Sequence, residues 1–434
     1  MNEAFLAYIW KFGLFDRAHL TTTSGEPLVI EHPGWENKTS GPDFFNARIK
    51  IGSTTWAGNI EIHVNTSDWF KHGHQNDAAY QNIILHLVFN ADVPPVTNVQ
   101  GQSIPTLALE GRINPKVYAR FQQLHTAKTT IPCQNLFAEI PAIKRLQWTE
   151  RLLIERLEQK MEPLQQSLHL NQNNWQITLF EAIARALGGN LNAQQMEMLV
   201  RSVPYQTLLR QQPTQAPQLE ALLLGQAQLL PPTAATTRTD PYVALLLREY
   251  EALKNKYQLT PLMPKIWKTK GLRPLNSPTI RIAQLAALIQ HEPQLFDKII
   301  AAQTIQELFE LLAIAPSEYW QTHYVLGKPS AAKLKTPGQA TLEIVIINAL
   351  VPLVFLYGRL RAMPHLEERA LNWLHQLPPE QNHITQIWQN LGWKPTNATD
   401  SQAMIQLKKY YCDTKKCLHC AFGHQIINYN PALA

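Results

Sequence analysis

Between residues 40 and 90 the chain gathers Asp43, Glu61, His63, Asp68, His72, His74, Asp77 and His86, its densest set of metal ligands and proton carriers. Carboxylates suit hard divalent cations, and imidazoles suit borderline metals and proton transfer near neutral pH. Two apolar-rich runs, 43–51 and 56–64, are separated by a turn at Gly52, Ser53 and Thr54 and read as a hairpin. Side chains alternate along a strand, so Glu61 and His63 share one face while Ile60, Ile62 and Val64 take the other. Hairpin pairing brings Asp43, at the start of the first strand, towards the end of the second. An Asp and a Glu converging from adjacent strands form an oxygen site for Mg²⁺ or Mn²⁺. Such an ion orients a water for in-line attack on phosphate, with a neighbouring His as proton carrier.

The flanking sequence supplies the elements that must hold these residues. Phe5, Leu6, Ile9, Trp10 and Leu14 recur at helical spacing over residues 3–15. A short strand is expected over 28–31, followed by a loop rich in Gly, Pro and Asn. Residues 67–81 have helical length and are expected to be helical over at least their second half, with Asp68 or Asp77 as caps. The nearly continuous apolar run 83–89 predicts a strand buried on both faces, with His86 as a hydrogen-bonded core histidine. A further strand or loop is expected near 95–109. The order is therefore helix, three strands, helix, strand. From about residue 144 amphipathic helical patterns dominate, with proline-rich connectors at 211–217 and 231–241. The fold class is α+β: residues 1–140 carry the sheet, 141–400 are helical, and 401–434 are cysteine-rich.

Gly41-Pro42-Asp43 followed by Glu61-Ile62-His63, within an αβββαβ order, resembles the core of the PD-(D/E)XK nuclease superfamily. The resemblance implies a restriction-endonuclease-like core cleaving phosphodiester bonds in DNA, with Asp43 and Glu61 holding the metal. Glu3, on the first helix, stands where some members carry a further acidic ligand. His63 occupies the position at which the superfamily usually has Lys, and imidazole is mostly neutral at pH 7. The segment Trp69-Phe70-Lys71-His72-Gly73-His74 is similar to the histidine-bearing segment of very-short-patch repair endonucleases, which implies His72 and His74 as alternative catalytic residues. The chain as a whole resembles an uncharacterised bacterial family of the Bacteroidetes, domain of unknown function 2851, which implies a domain plan and no activity.

Cys412, Cys417 and Cys420 follow the spacing C-x4-C-x2-C, and Cys133 is the only other cysteine. Three clustered thiols and one distant thiol make a four-sulfur site for a [4Fe–4S] cluster or Zn²⁺, and spacing alone leaves the metal open. His424 is an alternative fourth ligand for zinc. The arrangement is similar in logic to certain RecB-type nucleases, in which a distant cysteine joins a C-terminal trio around an iron–sulfur cluster. Here the lone cysteine follows the nuclease-like motifs.

In the helical region, Lys270, Arg273 and Arg281 flank two prolines at the start of a helix, with Lys265, Lys268 and Trp267 just before them. Donors at a helix N-terminus suit phosphate, so this island is the expected nucleic-acid contact. The alternative is that both arginines pair with acidic residues and lock the loop.

Over 434 residues, 45% apolar and 17% charged content exclude a disordered chain. A net charge of +6 permits nucleic-acid contact without demanding it. The start of the sequence lacks the features of a signal peptide. The most apolar stretch, 342–357, contains Glu343 and Pro352 and is expected as a buried helix, not a membrane span. Unpaired cysteines suit a reducing, cytoplasmic compartment. The expected function is metal-dependent cleavage of DNA, with RNA as another possible substrate. The alternatives are a non-catalytic nucleic-acid-binding scaffold on a degenerate nuclease fold and a metal hydrolase acting on a small substrate.

Overall fold

The computed structural model describes residues 1–210, 216–231 and 240–428, so the proline-rich connectors expected over 211–217 and 231–241 fall mostly outside the described residues. The chain divides into two compact units, residues 1–148 with 407–434 and residues 149–406. The class is α+β, with a small mixed sheet in the first unit and a mostly helical second unit.

The first unit opens with helix α1 (Glu3–Phe12), whose N-cap Asn2 accepts from the Phe5 N–H and whose C-cap Gly13 takes a left-handed conformation. The buried stripe of α1, Phe5, Leu6, Ile9 and Trp10, follows the predicted helical spacing. Strands β1 (Leu28–His32), β2 (Trp35–Glu36), β3 (Phe44–Ile51) and β4 (Thr54–Asn65) follow, then a crossover to β5 (Ile83–Asn90) and β6 (Thr106–Ala108). The sheet order is β1-β3-β4-β5-β6, with β2 beside β3. Strands β1, β3 and β4 pair antiparallel, whereas β4–β5 and β5–β6 are parallel. As expected for parallel strands covered on both faces, residues 83–88 of β5 are buried without interruption.

The expectation of a helix over 67–81 needs correction. Only α2 (Asp68–Lys71) is α-helical; 3-10 turns at His74–Asn76 and Ala78–Tyr80 complete the crossover. Gly73 adopts φ +76°, a left-handed conformation that stops the helix at low cost only for glycine. Asp77 is extended and its side chain accepts the Ala79 N–H, starting the second turn. The break has a consequence for chemistry: it turns His74 inward, while His72 stays exposed at the helix end.

The crossover packs through a small apolar cluster of Trp69, Tyr80, Ile83, Val96 and Ile104. Segment 407–428 belongs to this same unit and contributes a helix at Ala421–Ile427.

The second unit has one continuous apolar core, running from Leu153 to Ala398. Residues 339–360 are long and apolar enough to cross a membrane, but 67% of their most apolar window is buried within the protein, as a core helix requires. A π-turn at Ile346–Leu350 interrupts this helix. Pro352, two residues beyond Leu350, has no N–H to give the ladder, and that loss favours the wider turn.

Candidate metal centre

Register brings the two acids together. Phe44 pairs with Ile60, so Asp43, the residue before it, falls beside Glu61 and Ile62. The Ile62 N–H donates to Asp43 Oδ2 at 2.9 Å, and the Asp43 N–H donates to Glu61 Oε2 at 3.2 Å. Each carboxylate is thus oriented by the other strand's backbone. Burial raises the pKa of both above the ordinary carboxylate range, and the Asp43 charge raises Glu61 further.

Alternation along β4 places Glu61 and His63 on one face, as the sequence predicts. Glu61 is 6% exposed and His63 is fully buried. The broken crossover then delivers two more imidazoles. His74 Nε2 lies 3.2 Å from Glu61 Oε1, and His63 Nε2 lies 3.8 Å from the same oxygen. One ligand atom from each of His63, His72 and His74 lies within 4.8 Å of the others.

His86 on β5 closes a chain of rings: its Nε2 is 2.8 Å from His63 Nδ1, while His63 Nε2 is 3.0 Å from His72 Nδ1. Every link in such a chain needs one N–H and one lone pair, so each ring constrains the tautomer of the next. His86 is the hydrogen-bonded core histidine expected from its strand, and it supports His63 from behind.

Two residues that sequence reasoning passed over form the wall. Tyr80 stacks on His74 with ring centroids 3.8 Å apart, and Trp69 lies edge-on to His74 at 5.3 Å and against His86 at 5.3 Å. Trp69, next to the His-x-His segment in sequence, was the available signal. Burial drives the pKa of His63 down to about 3, His86 to about 3 and His74 to about 4. The His74–Glu61 contact therefore joins a neutral imidazole to a carboxyl biased towards its protonated form, and it is not an ion pair. Neutral imidazoles are the form that binds metal.

Glu3, in the first turn of α1, belongs to the same field: its charge raises both Asp43 and Glu61, and partial burial raises its own pKa. Asp68 and Asp77 make their hydrogen bonds outside the acid–histidine contacts, although Asp68 acts on His63 and His86 and Asp77 on His74 through charge. Asp68 accepts from the Asn65 N–H at 2.9 Å and from Lys71 at 2.5 Å, and Asp77 caps a turn.

Elsewhere in the first unit, Lys11, Phe12, His32, Trp35, Lys38 and Phe44 help to line an open cavity of about 470 Å³. Phe44 follows Asp43 directly, and Trp35 is 68% exposed. Lys11 is paired with Glu36 at 2.7 Å, and Lys38 is exposed.

The basic island of the second unit is arranged differently from the sequence expectation. Arg281 is buried, and its guanidinium donates to Gln284 at 2.8 Å, Asn276 at 2.7 Å and Thr341 at 3.0 Å. It locks the loop from inside and is not directed at solvent. The Trp267 indole donates to the Ala227 carbonyl at 2.8 Å, so this ring is tied to the unit's interior. Lys270 and Arg273 are exposed.

Cys133, Cys412, Cys417 and Cys420 converge on one cavity in the first unit and form no disulfide. The alternative ligand His424 is used elsewhere: its Nδ1 lies 2.9 Å from the Tyr8 hydroxyl, and Asn428 Nδ2 is 3.2 Å from its ring nitrogens.

Residues 3–383 match the model of a family described as a protein of unknown function (DUF2851), and the chain belongs to that family. The matched span includes the whole acid–histidine centre and Cys133 and stops short of Cys412. No curated protein and no solved structure matches the chain.

Proposed function

We propose that this member of the DUF2851 family is a metal-dependent nuclease that cleaves phosphodiester bonds in DNA. Asp43 and Glu61 are the acidic ligands, His72 and His74 complete the metal environment, and His63 assists the attacking water. The observation that carries this reading is the convergence of two partly desolvated carboxyls and three imidazoles on one end of β4. The leading helix and the mixed sheet are compatible with the PD-(D/E)XK resemblance, whereas the fourth strand before the crossover and the irregular crossover itself depart from the αβββαβ order.

The donor set refines the choice of metal. Mg²⁺ prefers oxygen ligands and keeps several waters, whereas imidazole suits Mn²⁺, Fe²⁺ or Zn²⁺. Mn²⁺ accepts both ligand types and fits this mixture best. A divalent ion held there would polarise phosphate and lower the pKa of a bound water. Neutral His63, held by His86, is placed to orient or take a proton from that water. Exposed Trp35 and Lys38 suit a base and a phosphate of the substrate strand.

One observation favours a second reading. His63 stands in place of the usual Lys, and burial keeps it uncharged, so it brings no fixed positive charge to the phosphate. A non-catalytic nucleic-acid-binding scaffold would tolerate that loss. The deciding experiment is cleavage of single- and double-stranded DNA and RNA with Mn²⁺ or Mg²⁺, beside the Asp43→Ala/Glu61→Ala variant. Metal-dependent cutting lost in the variant supports the nuclease. Salt-dependent binding without cutting supports the scaffold, and equal cutting by both proteins refutes this site.

A further inference from the structure

The four cysteines come from two distant places in the sequence. Cys133 lies at the turn before the short 3-10 helix Gln134–Glu139, and the trio lies in segment 407–428. Together with Leu124, Pro132, Tyr411 and Gly423 they line a void of about 20 Å³. Cys133, Cys412 and Cys420 are buried and Cys417 is half-buried. Nothing in ordinary packing requires every cysteine of a chain to face the same void.

Burial raises the pKa of all four thiols, so their thiolate form calls for a bound cation, and nearby donors and cations offset part of that rise. The backbone N–H groups of Phe422 and Gly423 and the Trp148 side chain are directed at the Cys420 sulfur. Lys408 and Lys415 bring positive charge towards Cys412 and Cys417. Gly423 is needed for the approach: a Cβ there would meet the Cys417 carbonyl oxygen at 2.0 Å. N–H donors and cations around sulfur are the outer-shell features that hold ligating thiolates.

Size separates the two metals that spacing leaves open. Around a tetrahedral zinc the Zn–S distance is about 2.3 Å, so the sulfurs nearly touch one another and leave no room for a water. Among the described residues the group brought to single-ion spacing is His63, His72 and His74. The sulfurs instead surround a void large enough for at least one water-sized body. Four thiols spread around a void, and not drawn to single-ion spacing, suit a centre larger than one zinc ion.

We propose that Cys133, Cys412, Cys417 and Cys420 ligate a [4Fe–4S] cluster that fastens segment 407–428 to the end of the sheet-bearing unit. The cluster is structural: none of its ligands belongs to the acid–histidine centre, and the assignment stands whether or not that centre cleaves DNA.

The test uses the full chain purified without oxygen. Iron and acid-labile sulfide are expected at about four each per chain, with broad visible charge-transfer absorption. Cys133→Ser should lose at least half of the iron, whereas His419→Ala, at an exposed position, should keep all of it. If Cys133→Ser does not fold, the metal content of the parent still decides. About one zinc per chain without iron, one iron without sulfide, or no metal at all would each overturn the proposal. Stripping the cluster with chelator should expose segment 407–428 to limited proteolysis; unchanged protection would refute the fastening role.

Discussion

Glu61 Oε1 lies 3.2 Å from His74 Nε2, and neither group carries the charge that such a contact usually implies. Burial holds His74 neutral down to about pH 4 and raises Glu61 above the ordinary carboxyl range. A divalent cation would reverse the balance at Glu61 and leave the imidazole in its ligand form. The metal-free arrangement is thus held at a stability cost that a bound ion relieves.

Glu61→Gln should therefore stabilise the metal-free protein above neutral pH. A carboxyl whose folded pKa is raised loses stability as pH rises through that value, and glutamine removes the titration while keeping an acceptor for the Asp43 N–H. A gain of about 1 kcal/mol is expected, with cleavage abolished. Thermal melts at pH 8 would check it. A lower melting temperature would mean that the carboxylate itself holds the strands together.

Acid should act through the histidines. His63, His86 and His74 have folded pKa values below that of free histidine, so their contribution is fully present above about pH 6.5. It declines as pH falls, because the unfolded chain takes up protons that the folded one refuses. Roughly 1 kcal/mol per fully buried histidine is expected between pH 6.5 and 5. Denaturant unfolding of His86→Gln at both pH values should show a smaller acid loss than the parent; an equal loss would place the proton uptake elsewhere.

His72 offers a cleaner test of the metal, because it is exposed and its removal leaves the core intact. His72→Ala should weaken Mn²⁺ binding by about tenfold or more while Mg²⁺ binding changes little. Calorimetric titration with each ion would separate the two. Equal losses for both metals would argue against direct ligation by this imidazole.

The buried Arg281 and the exposed Arg273 and Lys270 predict opposite behaviours. Arg281→Ala leaves Asn276, Gln284 and Thr341 without their shared donor and should cost about 2–4 kcal/mol of stability. Replacing Arg273 and Lys270 by Ala should leave stability unchanged. If that surface meets DNA, the same double variant should lower the slope of affinity against salt by about two phosphate contacts. Denaturation and binding titrations across salt would distinguish the two roles.

The sequence by itself determined the hairpin, the shared face of Glu61 and His63, the placement of Asp43 at the first strand's start and the buried run of β5. These follow from alternation, a turn signal and apolar periodicity, which act over a few residues. It also set apart the cysteine trio and the lone Cys133. The closure of the centre was decided by tertiary structure alone. Gly73 breaks a segment of helical length, and only the packing of Trp69 and Tyr80 turns His74 onto Glu61. The burial that neutralises the histidines comes from elements distant in sequence, with Trp69 and Ile104 packed in one apolar cluster. Likewise a C-x4-C-x2-C spacing does not define a void: the size of the space between four sulfurs depends on how segment 407–428 packs beside Cys133. Arg281 shows the converse. Its charge was legible, but its direction was fixed by partners as far away as Thr341, and a helix N-terminus that reads as a phosphate site became an internal lock.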